Sequence, residues 1–593
     1  MKGKFCSRRV IPIQILGCVL FLTCIATAPA GAVEETLPDS TLIPKALIDE
    51  MDRSMTLRME DLEKPYFIQY SVDDTLSYDV SAEYGTITSF DRDRDRALFC
   101  EVRVGSYELD NTNFSGGDGF FMVYGGGGGN QTSLPLEDDY TAIRQATWWI
   151  TDMTYKETVE TLTKKRTYMK DKNLQDRPHD FTKAPPATHR EPTAKLDFDV
   201  GLWKSRLKEI SAWFKGCPKV QDSGVRLVAS AGNRYIVNSE GTVARIARTE
   251  VLLVVTAKVQ ADDGMKISKS RSYFGESLSE VPPVKAILED VASMVDELMR
   301  IAAAPILESY TGPVLFDGIA SAQLFREMIA EGLAGRIDPV GTTRSRGEGA
   351  GSMEKKLGQR ILPRSFRVYD NPLISTLDGK ALMGHYTFDD EGISAEQVDL
   401  VEKGKLKGML MSRIPTKKLS GSNGHGRKSP YGGQAESSIG VLVIEDEDGI
   451  TREELKAELL EAAADEGLEY GLRITSLDSA SMTGTGSSSG IFYISYGSSR
   501  SGSRLSDPVM VYKVYVADGR EELVRGCEFG SVKTRDLKRI LAAGNEPEIY
   551  NFMGSRTPPS TIVAPPVLVE EMELAKIEQE LPKKPILLAP IAR

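Results

Sequence analysis

Histidine is scarce in this chain, with four among 593 residues, and cysteine is scarcely more common at six. Cys6, Cys18 and Cys24 fall within the first 32 residues, leaving Cys100, Cys217 and Cys527 far apart in the remainder of the chain. Three distant cysteines allow one disulfide and exclude a disulfide framework. Together with His179, His189, His385 and His425 they give no zinc-finger spacing. No histidine occurs beyond His425, so a catalytic serine near the C-terminal end would lack its usual base; S-x-x-K pairs such as Ser352 with Lys355 arise by chance at this composition. Positive charge is also in deficit, with a formal net charge of −12. An acidic chain is a poor match for phosphate backbones, and nucleic acid is not expected as a partner.

What is present begins with the N-terminus. Lys2, Lys4, Arg8 and Arg9 precede an apolar run, Ile11 to Thr27, and the small-residue stretch "APAGA" continues from Ala28. This order predicts a signal peptide over residues 1–32, with a mature start at Gly31 or Val33. The run is too short and wrongly flanked for a stable membrane span. The expected location is periplasmic or extracellular. "SRR" at Ser7 faintly resembles a twin-arginine signal and "FLTC" fits a lipid-attachment site poorly, so simple cleavage is expected. Losing four positive charges takes the net charge from −12 to about −16.

With 41% hydrophobic and 27% charged residues, a chain this long should fold as two or more domains. Period-two alternation in "PYFIQYSVDDTLSYDVSAEYGTITSF" and "RALFCEVRVGSYELDNTNF" predicts half-buried strands, with the self-neutralising "DRDRDR" at Asp91–Arg96 as a solvated turn region between them. Gly125–Gly129 lack the Lys-Ser/Thr of a phosphate loop and read as a surface loop. A long helix should come next, anchored in the core by Trp148 and Trp149. The proline-bearing strap Arg177–Lys195 then carries His179 and His189 as solvated loop residues. A helix near Val200–Lys215, four short strands with a hairpin turn at Ser239–Gly241, and a helix near Pro283–Ala303 complete a first domain over 33–308. Past it, "HYTFDDEG" gathers Asp389, Asp390 and Glu391 without EF-hand spacing and reads as a turn. Thr451 and Glu454 form a capping box at a helix start. The Ser/Gly-rich tract 476–506 surrounds one strand-like run, "DPVMVYKVYVADGREELVRGC" reads as a hairpin, and Thr534–Ala543 as a helix; the tail 576–593 reads as loose.

The stretch organising the chain is residues 311–336, "TGPVLFDGIASAQLFREMIAEGLAGR": an apolar strand, a turn and one amphipathic helix. Leu324, Phe325, Met328, Ile329 and Leu333 recur at helical spacing, so Arg326, Glu327 and Glu331 ride on or beside the inward face. "GPVLFDG", this helix, the phrase from Tyr369 to Arg413 and "SNGHGR" from Ser422 together resemble the TldD/PmbA metallopeptidases, the peptidase U62 or modulator of DNA gyrase family. The resemblance implies an α+β protein in two domains: an N-terminal α+β domain with an antiparallel sheet, and a β-rich C-terminal domain over 309–575 that carries the helix. It also implies paired subunits, one catalytic and one not, around a cavity that takes an extended peptide. The gyrase label does not carry DNA binding with it.

Catalytic members of that family carry H-E-x-x-x-H on this helix, two zinc ligands around a glutamate base. Here Arg326 and Glu331 stand at the ligand positions and Glu327 at the base. A guanidinium has no lone pair to offer, so Arg326 cannot ligate a metal. The family's cysteine ligand near the C-terminal end also has no counterpart, since Cys527 lies well before that point. No metal and no cofactor are therefore expected. Three readings stay open: a non-catalytic peptide-binding or regulatory subunit pairing with a TldD/PmbA-like partner or with itself; an active metallopeptidase with Glu327 as base and zinc on non-standard ligands; and a structural envelope protein on the same fold. Arg326, Glu327 and Glu331 read as plain surface charge on an amphipathic helix, or else Arg326 stands in for the metal's charge and neutralises both glutamates.

Overall fold

Two long hairpins build the N-terminal part of the computed structural model, which describes residues 33–37, 39–59, 62–116, 130–342, 352–429, 432–478, 505–553, 558–578, 583–585 and 590. Residues 1–32, Gly125–Gly129, most of the Ser/Gly-rich tract and most of the tail lie outside these residues. In the first hairpin, β1 (Pro65–Glu83) pairs antiparallel with β2 (Thr86–Val104) through a turn at Tyr84 and Gly85, both at positive φ. In the second, β3 (Asp222–Asn238) pairs with β4 (Val243–Gln260) in an unbroken register, so the four short strands expected there are two long ones, turning near Ser239 as predicted. β5 (Lys266–Gly275) adds to the outer edge of β4. The resulting seven-stranded sheet also takes in Gln131–Ser133 beside β2 and Thr188–Arg190 beside β4.

One face of that sheet is covered by helices and the other is not. α1 (Leu42–Ser54) and α2 (Tyr140–Asp171) pack over Ile68, Tyr70 and Val72 of β1. α3 (Val200–Ala212) and α4 (Val284–Ala303) pack over Leu76, Tyr78 and Val80. These are the even-numbered residues of β1, as period-two alternation requires. Asp139 and Asp199 cap α2 and α3 by accepting the N–H groups of Ala142 (2.7 Å) and Leu202 (2.9 Å). The expected tryptophan anchors are not in the core. α2 buries Ile143, Thr147, Ile150 and Thr151, which leaves Trp149 on the far side of the helix at 55% exposure and Trp148 half-buried.

Asp91–Arg96 is likewise no turn, because it lies in the middle of β2. Arg92 is exposed and donates to Tyr78 Oη (3.2 Å), while alternation sends Arg94 and Arg96 to the helix-covered face, where Arg96 is fully buried. Arg96 is held there by Asp74 (2.7 Å), Asp138 (3.0 Å) and the carbonyl of Pro135 (2.9 Å). The aspartates face the open side.

The C-terminal part is β-rich. Ser309–Phe316 lies parallel to Tyr470–Leu477 and antiparallel to Val567–Lys576 at the centre of a second seven-stranded sheet. A six-stranded sheet centred on Phe366–Asp370 and Val441–Asp446 stacks against it. Between the two sheets runs α5, residues 319–333, whose Leu324, Phe325 and Met328 join residues of both sheets in one apolar cluster. α6 (Arg452–Asp465) packs on the outer side through Leu455 and Leu459, with the expected capping box at Thr451 and Glu454. Pro508–Tyr515 and Glu521–Val524 form the expected hairpin. The helix expected over 534–543 is a 3₁₀ turn, Thr534–Arg539, leading into a strand, Ile540–Ala543, because Val567–Lys576 offers that segment a ladder to pair with. The architecture is α+β, as expected. No described helix is long and apolar enough to cross a membrane.

The buried Asp74–Arg96 pair makes a sharp test of this arrangement. Asp74→Ala leaves the buried Arg96 with the partly exposed Asp138 as its carboxylate partner and should cost about 2–3 kcal/mol in denaturant unfolding, whereas Asp91→Asn on the open face should cost under about 0.5 kcal/mol.

Candidate functional site

α5 begins at Gly318, which adopts a positive φ of 54°, directly after Asp317. Asp317 accepts from Arg452 (2.9 Å) and Arg473 (2.9 Å), tying the start of the helix to its neighbours. The helix is not uniform. Ile319–Phe325 is α-helical, Arg326–Ala330 forms one π-helical turn, and Glu331–Leu333 returns to α. In an α-helix, positions five apart lie about 140° from each other round the axis; a π turn, bonded i to i+5, brings them towards one side. Positions 326 and 331 are five apart.

The side chains of Arg326 and Glu327 are engaged by protein. The Arg326 guanidinium lies 4.6 Å from the ring centroid of Phe552 and 3.7 Å from Glu327. Glu327 accepts the Ser506 N–H (2.7 Å) on one oxygen and the Ser506 hydroxyl (2.8 Å) on the other. Glu331 is exposed and forms no ion pair with Arg326 among the described residues, so Arg326 compensates one glutamate and not both. Cys527 is buried on a strand, and burial pushes its thiol up to about 12, so it is no thiolate ligand. Among the described residues no three His, Cys, Asp or Glu side chains converge as a metal site. A zinc ion does not fit this donor set: one position has no lone pair, the carboxylate beside it is already bonded, and the third faces outward.

A separate feature is far larger. The uncovered face of the N-terminal sheet forms the floor of a cavity of about 1450 Å³, walled by residues 382–390 and 427–428 and by Met553, Pro558 and Pro559 of the C-terminal part. The floor is polar because the odd-numbered residues of β1, Ser71 to Ser81, are Ser, Asp or Thr throughout. Ion pairs cross it: Arg226 with Asp79 (2.9 Å) on adjacent strands, and Arg234 with Asp73 and with Asp390. This surface was legible in β1 as a strict polar alternation, but nothing in the sequence announced the wall opposite. Ser506 as the partner of Glu327 left no sequence signal at all.

The wall meets the floor at a buried acidic turn, as the reading of Asp389–Gly392 as a turn anticipates. Asp389 accepts N–H bonds from Glu391 (3.0 Å), Ile393 (2.9 Å) and Gly426 (2.9 Å), and Glu391 accepts that of Arg413 (2.8 Å). Arg413 in turn donates to the Thr182 carbonyl (2.6 Å) and pairs with Glu240 (2.7 Å), so this turn is stitched to the N-terminal part. Burial pushes the carboxyl of Asp389 up to about 7; burial and then Asp389 push Glu391 up to about 8. Burial acts on Asp390 too, but Arg234 and Arg427 beside it hold its carboxyl below the usual range.

The histidines divide. His179 is exposed, as expected. His189 is not a solvated loop residue: it sits on the short strand Thr188–Arg190, 3.0 Å from Glu191 and stacked on Phe388. His385 lies on the cavity wall, 3.5 Å from Glu276. His425 is fully buried, with Nε2 3.1 Å from Asp370 and Nδ1 2.9 Å from the Asn423 carbonyl. Cys100, Cys217 and Cys527 are unbridged.

Asp389 and Glu391 titrate above their unfolded values near 4, so between about pH 4 and pH 8 the native state binds more protons than the unfolded state. Their contribution to stability is complete below that window and is lost as pH rises through it. Carboxylates held low, such as Asp390 and Glu191, act only below about pH 4. Unfolding midpoints should therefore fall from pH 6 to pH 8. Glu391→Gln, which keeps an acceptor for the Arg413 N–H, should flatten that slope.

A model of the PmbA/TldA metallopeptidase C-terminal domain matches residues 309–502. A metalloprotease of Methanothermobacter thermautotrophicus is 28% identical over 217 residues, 36% of this chain and 44% of that protein. One from Archaeoglobus fulgidus is 35% identical over 80 residues, 14% of this chain and 17% of that protein. The matches thus span less than half the length of these relatives. Among solved structures, TldE from Thermococcus kodakarensis covers 89% of this chain and 100% of its own at 14% identity, with a TM-score of 0.55, a likeness of fold alone. Residues 309–502 are thus similar in sequence to the PmbA/TldA metallopeptidase C-terminal domain, and the chain shares the fold of the solved TldE structure.

Proposed function

We propose that this chain is a non-catalytic, metal-free TldD/PmbA homologue, exported by its leader, that binds extended peptides and works beside a TldD/PmbA-like subunit. The observation that carries this reading is the engagement of Glu327 by Ser506 on both oxygens while Arg326 rests on Phe552. A general base must reach a water or substrate proton, and a zinc site must offer lone pairs. Here both roles are blocked by bonds within the chain. The π turn keeps a backbone suited to two ligands five residues apart, so the site reads as one whose ligands were exchanged while its frame stayed. The cavity supports the binding half of the proposal, since its floor is a broad sheet face lined with polar groups and its wall comes from a different part of the chain.

Elemental analysis of the purified protein is expected to find zinc far below one equivalent, and Glu327→Gln to leave any hydrolysis of unfolded peptide unchanged. Stoichiometric zinc with hydrolysis lost in Glu327→Gln overturns the reading in favour of an active metallopeptidase. Arg326 also has a structural role here. Arg326→Ala should lower stability by about 1 kcal/mol through loss of the contact with Phe552 and the ion pair with Glu327, measurable by denaturant unfolding.

A further inference from the structure

The cavity is electrically two-ended. Along β2, Asp91, Asp93 and Asp95 face it from positions opposite Asp79, Ser77 and Thr75 of β1. Their natural counter-ions are the interleaved arginines, and alternation has carried Arg94 and Arg96 through to the other face, where Asp74 holds them; Arg92, exposed at the cavity's edge, donates to Tyr78. The cationic groups nearest on the floor are committed: Arg226 to Asp79, and Arg234 to Asp73 and Asp390. Among the described residues no ion pair reaches Asp91, Asp93 or Asp95. Burial, and then Asp93, raise the Asp95 carboxyl above its usual range, which marks mutual repulsion on this strand.

The other end is cationic. Lys428 reaches the floor at Ser71 (3.3 Å) and lies 5.7 Å from the ring of Phe99, the register partner of Ser71. Beside it Arg427, only 5% exposed, lines the same cavity. Its guanidinium lies over Tyr386, 4.2 Å from the ring centroid, and its Nη1 finds no hydrogen-bond acceptor among the described residues. A buried guanidinium nitrogen without an acceptor is costly and points to an anionic or carbonyl group from a ligand. From Phe99 to Asp91 along β2 is about 27 Å at ~3.4 Å per residue, and successive aspartates are spaced by about 7 Å, the i to i+2 repeat of any extended chain.

We propose that the cavity selects extended peptides that carry lysine or arginine at every second position along Asp95, Asp93 and Asp91, with a free carboxyl end at Arg427 and Lys428. This rests on the peptide-binding reading above and names the peptide's class. The spacing supplies the register, and the unpaired aspartates supply the sign.

The test uses fluorescent peptides of alternating Lys and Ser with a free carboxylate, matched to versions with Gln or Glu in place of Lys and to an amidated Lys version, by anisotropy with the full-length mature protein. The Lys peptide is expected to bind about tenfold more tightly than the Gln peptide at low salt, and the gap should close as ionic strength rises. The triple variant Asp91→Asn, Asp93→Asn, Asp95→Asn should erase the gap while leaving the Gln peptide's affinity and the melting curve unchanged. Amidation should weaken binding several-fold. Equal binding of Lys, Gln and Glu peptides, or a preference that survives in the triple variant, overturns the selectivity and leaves the peptide-binding reading standing. Equal binding of the amidated peptide overturns the placement of the carboxyl end. Failure of every peptide to bind overturns both readings.

Discussion

Side chains on successive residues of an extended strand point to opposite faces, and in β1 to β4 that constraint runs through strands of 17 to 19 residues, shifted only near the two ends of the β1–β2 ladder. Everything in the N-terminal part depends on it. An apolar even-numbered face on β1 recruits four helices, and a polar odd-numbered face is left uncovered as a floor. The alternation also explains why a run as hydrophilic as Asp91–Arg96 is tolerated inside a sheet. Arg94 and Arg96 reach Asp74 between the two apolar clusters, where a paired and hydrogen-bonded charge is bearable, and its aspartates reach water.

The C-terminal part obeys a different constraint, burial of one helix between two sheets. A helix enclosed on both sides has little freedom to shift, so the direction of each polar side chain at its π turn is set by the packing of Leu324, Phe325 and Met328. With Arg326 in place, the positive charge is permanent and anchored on an aromatic ring instead of being coordinated. Glu327, close to that charge, remains half-buried without strain because Ser506 supplies two donors.

How far the sequence spoke depended on the range of the contact. The capping box at Thr451, the helix α4 and the hairpin turn at Ser239 depend on neighbours within a few residues, and all were readable. The α+β class and the amphipathic character of α5 were readable from periodicity. What failed had a tertiary cause. Trp149 looked like core because tryptophan usually is, yet the inward stripe of α2 passes one residue to the side. Asp91–Arg96 looked like a turn because charge usually marks one, yet its partners on β1 hold it extended. Ile540–Ala543 looked helical until Val567–Lys576 claimed it. That a guanidinium at position 326 has no lone pair for a metal could be read from chemistry alone; the contacts that Ser506 and Phe552 make with Glu327 and Arg326 come from more than 170 residues away.

The cavity and the buried acidic turn share residues, and that sharing limits what the cavity can accept. Arg234 pairs with Asp73 on the floor and with Asp390 in the turn, and Arg427 lies 4.0 Å from the same Asp390. An anionic group arriving at the basic end must therefore compete with Asp390, which two guanidinium partners keep ionised and in place against the opposing effect of burial. A bulky or multiply charged anion would have to separate Asp390 from its arginines and so loosen the contact between the two parts of the chain. A single carboxylate need only take the donor that Asp390 leaves unused, Nη1 of Arg427. Discrimination at this end is thus by charge number and size, and at the aspartate end by sign and spacing. An extended peptide with one terminal carboxylate meets both conditions at once, whereas a polyanion meets neither.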